Sequence, residues 1–169
     1  LFDAHPQDGG QSWHAGSGAT WDLRSNALRP PGWTSADAAG LPILPGLVRY
    51  DEVAAGHIDH ALRFTARRTQ RGYVAPARHF ASSITDPNVP PMGLRLRLEG
   101  SFDCGTLRSQ ARVVCVAMQR YGIILADNGS DWYVTGAPDR RWDDDVLHDL
   151  GRIEGRMFEA VDTGPVVTR

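Results

Sequence analysis

Two histidines stand three apart in HIDHALRF, residues 57–64, with Asp59 between them and Arg63 just after. Such side chains can hold a metal, move a proton or bind an anion. The backbone decides which. On a helix, His57 and His60 would share a face and could chelate one ion. The apolar pattern alternates instead: Ile58, His60, Leu62 and Phe64 against His57, Asp59, Ala61 and Arg63. Period two predicts a strand over 57–64, so the rings leave opposite faces and no shared metal is expected. His57 falls on the polar face. His60 falls among apolar neighbours, where its ring needs a polar partner. It reads either as a neutral core histidine or as the wall of a pocket that includes Asp127.

The densest polar cluster is ADNGSDW, residues 126–132. Asn128-Gly129 between two apolar runs is a strong turn signal. Asp127 and Asp131 flank the turn, and Trp132 follows. A carboxylate beside an indole suits a sugar, because the ring stacks on the apolar face of the sugar and the acid bonds hydroxyls. Asp37, His60 and His79 are the possible catalytic partners of Asp127. Arg63, Asn128 and Trp132 are the candidate substrate contacts. An acid–base pair on a glycosidic bond needs carboxyls roughly 5 to 9 Å apart. WDDD at 142–145 favours a helix N-terminus over a cation site, because it lacks calcium-loop spacing. His79, after the kink at Pro76, reads as a surface polar residue or a re-aimed one. No nucleophile elbow, phosphate loop, dinucleotide fingerprint or zinc-protease motif is present. Neither a cofactor nor a metal is implied.

The elements that must position these residues follow from periodicity. Residues 1–19 read as loop, 19–23 as a short strand, and TSADAAG as a helix start that stops at Gly40. RYDEVAAG predicts one or two helical turns ending at Gly56. Residues 72–80 predict a strand interrupted at Pro76. In GLRLRLEG, 93–100, Leu94, Leu96 and Leu98 face inward. Leu107, Ala111, Val114, Cys115, Met118 and Tyr121 fall at helical spacing and predict a helix over 106–121. IILAD and WYVTG read as strands around the turn at NGSD. WDDDVLHDLG predicts a helix, and RMFEAVD a final strand. Together they predict an α+β domain: a mostly antiparallel sheet, one principal packed helix and long irregular connections.

The 169 residues suit a single domain over 1–169 with a real core. A formal net charge of −2 gives no basic surplus for nucleic acid. No apolar run reaches membrane-spanning length, so no membrane insertion is expected, and none reads as a signal peptide. All 18 basic residues are arginine, a composition that fits a GC-rich genome. The only cysteines, Cys104 and Cys115, match no zinc or redox spacing. They form one disulfide if the chain is secreted, or remain two inert thiols. A chain beginning at Leu1 reads as a processed product or as part of a longer chain.

The run GSGATWDLRSNALRPPGWTSADAAGLPILPGLVRYDEVAAGHIDHALRFT resembles a family of secreted bacterial proteins with no established activity. PARHFASS, PPMGLRLRL and YGIILADNGSDWYVTGAPDRRWDDD are similar to its later blocks. The resemblance covers nearly the whole chain and implies that it is the C-terminal part of a longer domain. It also implies that Asp37, His60, Arg63, His79, Asp127 and Asn128 belong to one site. The family pattern lacks the two cysteines, which are therefore particular to this chain.

Three functions follow as expectations. The first is a secreted carbohydrate-active protein, a glycoside hydrolase using a carboxylate pair. The second is a non-catalytic module binding a glycan or other cell-surface polymer through exposed tryptophans such as Trp33, Trp132 and Trp142. The third is an extracellular assembly subunit whose N-terminal part is completed by a partner chain.

Overall fold

The computed structural model describes residues 1–169, apart from the side chain of Phe2. Strands β1 (Phe2–Gln7) and β2 (Ser12–Ser17) form an antiparallel hairpin of their own. The body is a five-stranded mixed sheet. Its strands are β3 (Leu62–Ala66), β4 (Arg95–Leu98), β5 (Ile123–Asn128), β6 (Tyr133–Val134) and β7 (Phe158–Val161). Their spatial order is β6-β3-β5-β4-β7. Only β3 and β5 run parallel; the remaining pairs are antiparallel. Helices α1 (Tyr50–Ala55), α2 (Ser109–Arg120) and α3 (Asp144–Leu147) complete an α+β fold with one principal helix. Among the described residues no helix is long and apolar enough to cross a membrane.

Helix α2 forms because its apolar side chains recur on one face. Ala111, Val114, Cys115 and Met118 are buried against the sheet residues Leu62, Phe64, Ile123 and Leu125. The helix begins at Ser109, not Thr106. Residues Cys104–Thr106 form a separate 3-10 turn, capped by the Asp103 side chain. A disulfide joins Cys104 to Cys115 and ties this turn to the helix. Helix α1 ends as its sequence requires. Gly56 takes a left-handed conformation, φ 85°, and its N–H closes the last turn.

Several expectations are corrected. Residues 1–19 are not all loop. The hairpin β1–β2 turns at Asp8–Gly10, where all three residues have positive φ. Its side chains are exposed almost throughout, so it carries no alternating apolar signal. Residues 19–23 form no strand. TSADAAG forms no helix, because Asp37 Oδ1 captures the Leu41 N–H (3.0 Å) and closes a turn instead. The strand expected over 57–64 begins only at Leu62. Residues 72–80 are also irregular, held by single bridges from Tyr73 to Met92 and Val167. β5 and β6 are not hairpin partners, because β3 lies between them.

Candidate functional site

β3 carries Arg63 and Phe64 in succession, so their side chains leave opposite faces of the sheet. Each anchors a different candidate site.

On the Arg63 face, three charged groups converge. Arg63 Nη2 lies 3.5 Å from Asp37 Oδ2 and 3.9 Å from Asp127 Oδ2. Arg63 Nη1 donates to Thr135 Oγ1 at 3.1 Å. Gly46 lies against the Arg63 stem, where an added Cβ would come within 3.1 Å of Arg63 Cβ. Asp37 belongs to the turn over 35–41 and Asp127 to the end of β5. The turn is bonded to β5 twice: Ala39 N–H donates to the Ala126 carbonyl, and Ala38 N–H donates to Asp127 Oδ1. His79 joins the same turn, with Nδ1 2.9 Å from the Ala38 carbonyl oxygen.

The Asp37 side chain is 0 % exposed, whereas that of Asp127 is 36 % exposed. Desolvation pushes the Asp37 carboxyl up to about 6. The Leu41 N–H, the Arg63 charge and the Ser35 hydroxyl pull the other way, and the Asp127 charge adds to the rise. Neither Asp37 Oδ2 nor Arg63 Nε has a hydrogen-bond partner. The group is therefore an ion pair of poor geometry inside the protein, with one carboxylate reaching solvent.

Asn128 lies beside Asp127 but works as a brace. Its Oδ1 accepts from Thr69 Oγ1 (2.7 Å) and its Nδ2 donates to the Ala81 carbonyl (2.7 Å). His60 does not join this group. Its Nε2 lies 3.2 Å from Glu52 Oε2 and its Nδ1 2.9 Å from the Ala61 carbonyl oxygen. Glu52 in turn pairs with Arg49, so His60 belongs to the α1 end of the molecule. His57 is exposed and sits 3.4 Å from Asp59. Among the described residues no cluster of His, Cys, Asp and Glu could hold a metal.

On the Phe64 face, Trp132 stacks on Phe64 with centroids 5.6 Å apart and on Phe158 with centroids 5.4 Å apart. Its φ is 59°, unusual for a bulky residue. The residue as a whole is 47 % exposed. It lines a cleft of about 1120 Å³ that also touches Tyr133, Trp142, Val114 and Met118. Asp131, Asp144 and Glu154 line it too. Trp142 is fixed by its Nε1–H donated to the Ala137 carbonyl (2.8 Å) and by an edge contact with Tyr50. Asp131 is not free to move: its Oδ1 accepts from the Arg67 N–H at 2.7 Å.

Asp37, Arg63 and Asp127 thus come together, with His79 and Asn128 at their margin. Trp132 stands on the other face, separate from Asp127. Sequence reasoning missed Ser35, Thr135 and Tyr133. Their partners lie far along the chain or depend on a turn that overrides helical propensity. Compared with protein-family models, curated proteins and solved structures, the chain matches none.

Proposed function

We propose that this chain is a secreted carbohydrate-binding protein that captures a glycan polymer in the Trp132 cleft. One observation carries this reading. Trp132 is packed against Phe64 and Phe158 in a sparsely populated backbone conformation, yet the residue remains half exposed on the cleft wall. Sparsely populated backbone conformations concentrate at functional sites, and a rigid, half-exposed tryptophan offers amphipathic contact area at low entropic cost. Carboxylates along the same cleft can accept hydrogen bonds from sugar hydroxyls. The Cys104–Cys115 disulfide supports an oxidising, extracytoplasmic location.

Retention on a panel of insoluble polysaccharides tests the proposal. The protein should be retained on at least one without releasing reducing sugar, and Trp132→Ala should abolish retention. Retention unchanged in Trp132→Ala would remove the cleft from consideration.

A second reading, a glycoside hydrolase, is favoured by a different observation. The Asp37 carboxyl, lifted to about 6, has the character of a general acid, and the partly exposed Asp127 stands across Arg63 as the second carboxylate. Asp37 is sealed, so this chemistry requires the turn over 35–41 to open. Reducing-sugar release that disappears in both Asp127→Asn and Asp37→Asn would favour it. Release that survives Asp127→Asn would exclude it.

A further inference from the structure

Away from both sites, Arg29 lies between two indoles. Its guanidinium carbon is 5.8 Å from the centre of the Trp21 ring and 5.3 Å from that of Trp33. The loop that carries it is braced. Pro30 and Pro31 restrict the backbone, and Arg78 holds the loop from both sides. Arg78 Nε donates to the Arg29 carbonyl (2.9 Å), and Gly32 N–H donates to the Arg78 carbonyl (2.6 Å).

Among the described residues, no carboxylate lies within 4.0 Å of the Arg29 or Arg78 guanidinium, and Arg29 Nε has no hydrogen-bond partner. The acid on the same segment, Asp22, is engaged by Arg24 at 3.3 Å. Many other arginines of this chain do have carboxylate partners. The indole faces compensate the Arg29 charge in part; Nε is buried, and the Nη1 and Nη2 donors are the ones left for a ligand. Those donors form a planar fork that matches a carboxylate or sulfate group. Trp33, 58 % exposed, offers an apolar surface beside that fork.

We propose that Arg29, held between Trp21 and Trp33 and backed by Arg78, binds an anionic sugar residue. The guanidinium pairs with the oxyanion, and Trp33 packs against the sugar ring. This surface is separate from the Trp132 cleft, and the proposal stands whether or not that cleft binds a glycan.

Calorimetric titration of the whole chain tests it with three probes: oligogalacturonate for carboxylate, a heparin-derived oligosaccharide for sulfate, and cello-oligosaccharide as a neutral control. At least one anionic probe should bind, and more weakly as salt is raised, whereas any binding of the neutral control should not depend on Arg29. The preferred probe identifies the oxyanion. Arg29→Met should lower that affinity about ten-fold or more, the loss of one hydrogen bond to a charged group. Trp132→Ala should leave it unchanged. If Arg29→Met fails to fold, Trp33→Ala at an exposed position serves instead, and about ten-fold weakening is again expected. The proposal is overturned if neither anionic probe binds, if the neutral probe loses as much affinity as the anionic one when Arg29 or Trp33 is replaced, or if the folded variant keeps wild-type affinity for the anionic probe. Loss of anionic binding in Trp132→Ala would overturn it as well and assign that binding to the cleft.

Discussion

Asp37 Oδ2 lies 3.5 Å from Arg63 Nη2 inside the protein, yet the two make no hydrogen bond. Burial outweighs this pairing, so the folded carboxyl titrates at about 6 against 3.8 for the ordinary group. The native state then binds a proton more tightly than the unfolded chain. The associated stability is fully present below the unfolded value and is lost as pH rises through the folded one. Linkage puts the loss at about 3 kcal/mol. Asp139 and Asp149, held near 2 by Arg141 and Arg108, act in the opposite sense as pH falls below their ordinary value. Unfolding by urea across a pH series should therefore give greatest stability near pH 4, roughly where the two windows meet. Asp37→Asn should remove the decline between pH 4 and 6. A decline that survives in this variant places its origin elsewhere.

The Cys104–Cys115 bridge closes a short loop, with a sequence separation of 11. Chain-entropy arguments give it about 3 kcal/mol. Replacing both cysteines by serine should lower the denaturant midpoint by a corresponding amount with little change in slope. An unchanged midpoint would mean that the bridge adds nothing beyond the packing of α2.

Met118 is buried on α2 beside the cleft floor. Met118→Asp would place an unpaired carboxylate there, at a cost on the order of 4 kcal/mol. Thermal unfolding should register a large drop. A melting temperature within a degree or so of wild type would contradict the packing of α2 on the sheet.

Gly155 leaves no room beside the Trp132 ring. A Cβ there would come within 2.8 Å of Cε2 and closer still to Cζ2. Gly155→Ala should displace the indole, shift its fluorescence and cost about 1–3 kcal/mol. It should also weaken polysaccharide retention, although residue 155 itself offers no side chain to a ligand. Retention and fluorescence both at wild-type values would show that the ring position is not fixed by this contact.

The parts legible in the sequence were those with a one-sided apolar pattern. α2, β4, β7 and the end of α1 at Gly56 all announce themselves by spacing. The hairpin β1–β2 does not, since both its faces meet water. The stretch 57–61 imitates a strand, but His60 is turned toward Glu52 and only Leu62 onward joins the sheet. Asp37 and Asp127 were legible as polar residues, and their meeting at Arg63 follows from the tertiary fold. The Arg29 stack was invisible, because nothing in RSNALRPPGW distinguishes a stacked arginine from a solvated one.

β3 pairs with β5 on one side and β6 on the other, both of which come much later in the chain. On a ribosome, β3 emerges with neither neighbour yet made. Its apolar residues Leu62 and Phe64 must wait, uncovered, until Ile123–Val134 has left the exit tunnel. Chain closure of this kind carries its entropic cost before any contact offsets it. The segment Leu62–Ala66 is therefore where a nascent or refolding chain is most open to capture by a chaperone or by another copy of itself.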